Sequence, residues 1–496
     1  MLTVEMLSSQ EGRKKLVQYI ESRDNLGRKV ESFKQSEIYK DRIGTYVLES
    51  LRTQFSEQTV TEMPLVKSVN IAKRCVNNQS VIYSNAPERE WLNVSDDQKD
   101  ILWSVYHEMN VNKKLGTANK FYKLHKQCLG QVIPKDGKLI MRVLQPHQWD
   151  VITDPGDPEK AIAYIVSSFD KTESFQDNLK RSPTGNFSLS EQNNRNYREN
   201  LDMQERERQN GKTYLVWTLT ENFIMNKKGE VIGEVLPNPI NELPFFEISE
   251  QKDFEYWIRQ ASAYGDFTVE FNAALTETRQ TVKMQSFAVA IVKAPKEMQF
   301  SNLQIGPNYI LHLPNDELNG VKTEFEFASP TANIDGAIRF LEVMLSGFLT
   351  SEGIDPKTVS MSGETTQFTS GIDRLLSLID KMQASRDDYD VFQYAETQVF
   401  KLVKAWLNAL NGNASLDSIY HTSLPSDCDL TVKYKMPEMV QTELDKIELL
   451  QKKIEIGLAS PITGLMELED LTRKQAEELY TTIQKDNALE AQILPG

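Results

Sequence analysis

Between Phe368 and Leu410 the residues Ile372, Leu375, Ile379, Met382, Tyr389, Phe392, Val399, Val403, Trp406 and Leu410 keep helical spacing, with Asp and Lys elsewhere. At 1.5 Å per residue this predicts a helix of about 65 Å, longer than a typical globular domain needs. A shape built around such a helix buries little of itself when alone, which predicts side-by-side packing of repeated copies. The residues just before it, Ser351–Gln367, are rich in Gly, Ser and Thr with one Pro, the composition of a flexible loop.

Upstream the pattern is mixed. With 496 residues the chain has room for about three folding units. Its 40% of hydrophobic residues supply real cores, which excludes wholesale disorder. Residues 1–60 read as helical and solvent-facing, with Leu16, Val17, Tyr19 and Ile20 among charges and Tyr46, Val47, Leu48, Leu51 and Phe55 near helical spacing. Leu65, Val69, Ala72 and Val76 form the stripe of a buried helix. Ile101, Leu102, Val105, Tyr106 and Met109 mark a second amphipathic run, and Thr117–Leu129 a third with Gly130 as its C-cap.

The period then drops to 2. Gln131–Pro134 and Lys138–Leu144 around Asp136-Gly137 predict a β-hairpin. Further strands are expected at Ala161–Phe169, Tyr214–Thr220, Asn222–Met225 and Glu230–Val235. Residues 171–212 contain seven hydrophobic residues in 42, far below the average of the chain, and read as a long excursion outside the core. Helix is expected again over Glu255–Ala290. Strand-like Tyr309–Leu313 and Thr323–Phe327 follow, then a helix over Ile334–Leu349. In the tail, Val440–Ile456 reads as a helix stopped by Gly457, Ser460-Pro461 as an N-cap with Pro first, and Thr472–Gln475 as a capping box.

Chemistry is harder to find. Cys75, Cys128 and Cys428 are far apart and form neither a disulfide framework nor a zinc site, which fits a reducing compartment. His107, His125, His147, His312 and His421 lack metal-ligand or catalytic spacing. Gly211-Lys212-Thr213 resembles the end of a P-loop, but Arg206 stands where the loop needs Gly. Asp154-Pro155-Gly156-Asp157-Pro158 reads as a tight turn rather than a carboxylate pair. Glu250-Gln251-Lys252 matches half of a metal-dependent nuclease site, a tripeptide frequent by chance. No stretch reaches the ~18 apolar residues of a membrane span, and no secretory signal is read at Met1–Glu5. The 56 Lys+Arg against 71 Asp+Glu give a net charge of −15, which argues against a duplex-coating protein. Neither catalytic nor metal residues, nor any cofactor, are assigned.

The order of elements resembles the portal proteins of tailed bacteriophages. Ser80-Val81-Ile82-Tyr83 after a helix is similar to the early segment of that family. Leu129-Gly130-Gln131-Val132 through Leu139–Pro146 is similar to its Gly–strand–turn–strand–Pro signature. Trp149–Asp154 and Ala161–Ile165 continue it, Leu243-Pro244-Phe245-Phe246 resembles the strand before the first stem helix, and Asp445–Pro461 its C-terminal helix–Gly–Ser pattern. The tract 171–212 departs from the family.

The resemblance implies an α+β, predominantly helical portal-type fold with wing, stem, clip and crown, a long internal helix and a tunnel loop. Residues 1–254 would be wing, 255–294 stem helix 1, 295–330 clip and 331–350 stem helix 2. Residues 351–367 would be tunnel loop, 368–439 the long helix and return to the wing, and 440–496 crown. It implies a homododecameric ring at one capsid vertex of a virion, assembled in the host cytoplasm, with no membrane partner. Double-stranded DNA would pass through the ring, driven by the terminase large subunit, and head-tail adaptor proteins and the major capsid protein would bind it. Lys357, Thr358, Val359, Ser360 and Met361 would face DNA in the tunnel loop, Lys357 being the only basic residue there. Asn308, Tyr309, His312, Asn315 and Asp316 would meet adaptors at the clip. The competing readings are a metal-dependent DNA-processing enzyme built on Glu250 and Lys252, and another non-catalytic virion structural protein.

Overall fold

The computed structural model describes residues 3–135, 138–168, 213–258, 261–286, 289–293, 324–328, 333–356, 371–411 and 422–434, and parts of 447–493. Helices α1 (Gln10–Ile20), α2 (Arg23–Tyr39), α3 (Gly44–Gln54), α4 (Glu57–Glu62) and α5 (Ile71–Gln79) open the chain. Then come β1 (Glu88–Leu92), α6 (Asp96–Glu108), α7 (Val111–His125), β2 (Gln127–Lys135), β3 (Lys138–Leu144), β4 (Trp149–Asp154) and β5 (Asp157–Ser168). After these follow β6 (Thr213–Thr218), β7 (Glu221–Asn226), β8 (Val231–Pro237), β9 (Phe245–Ser249) and α8 (Tyr264–Ser286). The remainder is β10 (Val289–Lys293), β11 (Glu324–Ala328), α9 (Ile334–Ser351), α10 (Gly371–Leu410), β12 (Asp429–Lys433), α11 (Pro461–Glu469) and α12 (Arg473–Ile493). The fold class is α+β and predominantly helical. The chain divides into two compact units, Met1–Pro437 and Glu438–Gly496.

The first unit has three hydrophobic cores that share elements, so they form one body. A five-stranded antiparallel sheet, ordered β4-β5-β6-β7-β8, carries apolar side chains on both faces. One face (Ile152, Ala163, Ile165, Tyr214, Val216, Phe223, Met225) is covered by Leu16, Val17 and Ile20 of α1. The first helices are therefore packed rather than solvent-facing: α1 lays a narrow apolar stripe on this sheet, and α3 buries Val47 and Leu51 in a second core. The other face, with Trp149, Val151, Tyr164 and Trp217, joins a core built with α6, α7, the three-stranded sheet β3-β2-β9 and the C-terminal half of α10. Ser168 pairs with Thr213, so the polar tract 171–212, itself outside the described residues, is inserted between two neighbouring strands.

Three sequence expectations are corrected here. Gly130 is not a C-cap. It lies inside β2, where a Cβ would stand 2.0 Å from the Phe246 ring, and α7 ends instead at Lys126 with φ 61°. The helix over Pro64–Val76 starts only at Ile71, capped by the Asn70 side chain on the Lys73 amide. The helix expected over Glu255–Ala290 is confined to Tyr264–Ser286, and Val289–Lys293 is a strand paired with Glu324–Ala328. The turn reading of Asp154–Asp157 holds, because the two carboxylates accept from Gly156 N at 2.9 Å and Glu159 N at 3.1 Å.

In the second unit, Ser460 caps α11 through its hydroxyl, accepting from Thr463 N at 3.1 Å, and Pro461 opens the helix.

Candidate assembly site

The helix pair α8–α9 is built for rigidity. On α8, Thr268, Asn272 and Thr276 stand at i, i+4 and i+8, all fully buried. They bond the backbone of the segment before α5 and of its first turn. Thr276 Oγ1 accepts from Val66 N at 2.9 Å, Asn272 bonds Val69 N at 3.3 Å and Val69 O at 2.7 Å, and Thr268 Oγ1 accepts from Ala72 N at 2.8 Å. This ladder is why residues before Ile71 are extended despite their helical apolar spacing, since their amides find partners on a neighbouring helix. Phe348 of α9 stacks on Phe267 of α8 at 3.8 Å between centroids, and Leu341, Leu345 and Leu349 are buried in the same core. The opposite face of α9 is apolar too, with Phe340 63% and Val343 66% exposed. A helix that is apolar on both sides, with only one side covered, is incompletely packed in a single chain.

The long helix α10 is fixed by polar anchors set in its apolar stripe. Asp388, 1% exposed, accepts from Asn119 Nδ2 at 2.8 Å and Lys123 Nζ at 2.7 Å, both from α7. Burial pushes the Asp388 carboxyl above its usual range, against the pull of Lys123. Two turns on, Glu396 takes a two-pronged bond from Arg89 of β1, at 3.0 Å from Nε and 2.6 Å from Nη2, and a third from Tyr83 OH at 3.0 Å. Burial opposes the Arg89 charge, and the Glu396 carboxylate more than offsets it, so that guanidinium stays firmly protonated. Trp406 Nε1 donates to Val132 O at 2.8 Å. These bonds fix both rotation and axial position of the helix, which apolar packing alone leaves looser. Asp388, Phe392, Glu396, Val399 and Val403 share one face, so charges standing on an apolar stripe were the available signal for these anchors.

A further buried group holds α2. Asp150 of β4 is fully buried and receives Arg28 Nη2 at 2.9 Å and the Lys29 ammonium. The Arg28 guanidinium lies 3.4 Å from the Trp257 ring centroid. Ser32 Oγ meets His147 Nδ1 at 3.2 Å and Ser36 Oγ meets His125 Nε2 at 3.3 Å. Burial, followed by nearby cationic groups, lowers His147 to about 4; burial, followed by His147 and Lys40, lowers His125 to about 3. Both imidazoles are neutral at physiological pH and act as structural hydrogen-bonding groups.

The sequence-derived site residues Lys357, Thr358, Val359, Ser360 and Met361, and Asn308, Tyr309, His312, Asn315 and Asp316, lie outside the described residues. Glu250 and Lys252 are described. Glu250 pairs with Lys126 at 3.3 Å, whereas Lys252 pairs with Glu247 at 2.8 Å and covers Tyr256. Both side chains of the tripeptide thus serve in ion pairs that tie β9 and its exit to neighbouring strands and helices. Among the described residues no group of three or more His, Cys, Asp or Glu is placed to hold a metal ion. Cys75, Cys128 and Cys428 are buried and unpaired with one another, and burial raises the Cys75 thiol to about 12. No described helix is long and apolar enough to cross a membrane. No protein-family model matches the sequence, and no curated protein is significantly similar to it.

Proposed function

We propose that this chain is the repeating subunit of a portal ring of a tailed bacteriophage, the head-to-tail connector at one capsid vertex. Genome would be packaged and ejected through its bore, and adaptor and tail proteins would attach to it. The observation that carries the reading is the incompletely covered helix α9, held rigidly on α8 yet presenting Phe340 and Val343 to solvent. A surface of this kind is completed by another molecule, and a contact between two different faces of identical subunits closes into a ring when the rotation allows. The order of elements is what supports the same reading: α8, a strand pair β10–β11, α9, then the 40-residue α10, although β10 lies within the range expected for the first stem helix.

The physics of a conduit fits the charge. Each neutralised phosphate adds a salt-dependent increment of affinity, so a lining rich in cations would hold DNA rather than pass it. A chain of net charge −15 makes a low-friction body. Lys357, the only basic residue of the proposed tunnel loop, would touch the DNA backbone transiently, and Thr358, Val359, Ser360 and Met361 would offer no lasting hold. The portal reading makes Asn308, Tyr309, His312, Asn315 and Asp316 the adaptor-facing residues.

Negative-stain imaging of the purified full chain tests the proposal: annular particles with a central hole wide enough for duplex DNA support it. A monodisperse monomer at every concentration overturns it. Lys357→Ala is expected to alter DNA retention in filled particles, and unchanged packaging and retention remove the role given to that lysine.

A further inference from the structure

Helix α2 is turned inside out. Asn25, Lys29, Ser32, Gln35 and Ser36 are buried, while Leu26 is 42%, Val30 65% and Phe33 47% exposed. These three apolar residues stand at i, i+4 and i+7, one continuous stripe, and a side chain added at Gly27 beside them would meet nothing within 4 Å. The orientation is enforced. Arg28 and Lys29 reach Asp150, Ser32 reaches His147, and Ser36 bonds the Gln145 side chain. Rolling the helix to cover Val30 would withdraw both cations from a fully buried carboxylate. The chain therefore keeps a polar seam inside and an apolar stripe outside.

A complementary stripe lies on the same unit. On α9, Phe340 and Val343 are exposed, and a side chain at Gly347 would again meet nothing within 4 Å. Both helices are fixed to α8: Lys34 of α2 bonds Asp266 at 2.6 Å, and Phe348 of α9 stacks on Phe267. Read in the same direction, α2 runs Gly27, Val30, Phe33 and α9 runs Phe340, Val343, Gly347. Parallel side-by-side packing places each phenylalanine over the glycine of the other helix and the two valines together. The same alignment brings exposed Arg23 toward exposed Asp335, and exposed Asp24 toward exposed Arg339.

We infer that the α2 stripe is a docking surface for a second copy of this chain, whose α9 stripe fills it head to tail. The inference rests on the ring reading and assigns it a contact. Two different faces make the contact heterologous, leaving each added copy with one free face for the next.

The experiment uses the full-length chain and cysteine pairing on exposed positions, since the three native cysteines are buried. Val30→Cys chains mixed with Val343→Cys chains are expected to form a mixed disulfide dimer under mild oxidation, and the double variant a ladder. Val30→Glu, which leaves the Asp150 contacts in place, is expected to raise the concentration of half-assembly on the order of tenfold or more without changing the melting temperature. Three results overturn the inference. If wild type forms rings and Val30→Glu forms them equally well without crosslinking of the cysteine pair, the contact is wrong and the ring reading stands. If Val30→Cys alone crosslinks as efficiently as the mixture, the contact is isologous. If wild type is monomeric throughout, both the contact and the ring fail.

Discussion

Glu396 and Arg89 show how much one buried pair can hold. Their side chains are 0% and 3% exposed, and the carboxylate also accepts from Tyr83. Glu396→Ala leaves a guanidinium buried without its counter-charge and is expected to lower stability by about 3–5 kcal/mol, whereas removing both charges with apolar residues restores most of it. Urea denaturation of the single and double variants measures the difference. The imidazoles of His125 and His147 give a pH dependence of definite sign. Each is lowered from the ordinary 6.5, to about 3 and about 4, first by burial and then by neighbouring cationic groups. The unfolded chain takes up these protons near 6.5 and the folded chain does not, so their contribution is whole above that pH. It declines as pH falls toward 4 and then 3. At pH 5 the loss is about 2 kcal/mol per imidazole, and His147→Asn is expected to flatten the fall in urea midpoint between pH 7 and pH 5.

At the scale of elements, the ladder of Thr268, Asn272 and Thr276 joins α8 to residues 66–72, the segment before α5 and its first turn, through side chain-to-backbone bonds. Asn272→Ala removes both bonds to Val69 and leaves its amide and carbonyl unpaired. The expected cost is about 1–3 kcal/mol, with faster hydrogen exchange confined to residues 66–72. Gly130→Ala is expected to cost a similar amount, about 1–3 kcal/mol, by driving a methyl into the Phe246 ring. These two sites also show which parts of the fold are legible in a sequence. Strands β2, β3, β5, β6 and β7 and helices α6 and α9 follow from local periodicity, because each carries a regular set of apolar side chains into a core. Leu65 and Val69 have helical spacing but not helical backbone, since the deciding partner, Asn272, lies two hundred residues away. Gly130 was readable as a special position, but its use in a strand depends on Phe246, a strand away. The α2 stripe was hidden for the opposite reason: its buried face is polar, and only the carboxylate of Asp150 explains why it is inside. The anchors Asp388 and Glu396 stand on the apolar face itself, where the spacing alone places only apolar residues, because their partners on α7 and β1 are distant in sequence.

At the scale of the whole molecule, the long-range field separates a conduit from a protein that grips DNA. A non-specific duplex binder presents clustered Lys and Arg, and reaches dissociation constants of about 10⁻⁴–10⁻⁶ M at physiological salt by releasing counterions. This chain carries −15, and several of its described cations are already committed: Arg28 and Lys29 to Asp150, Arg89 to Glu396, Lys123 to Asp388 and Lys252 to Glu247. These internal pairs are largely buried, so salt does not release them for phosphate binding. In the proposed ring, assembly would multiply the repulsion, because every added copy would bring the same net charge to a common axis. The purified chain, assembled or not, is therefore expected to show no saturable binding to a short duplex at physiological salt below about 100 μM. Fluorescence anisotropy across a salt series measures this. Micromolar affinity with a steep decline as salt rises would mean that cations are gathered on one surface despite the overall charge, and a low-friction bore would then be the wrong physical picture of this protein.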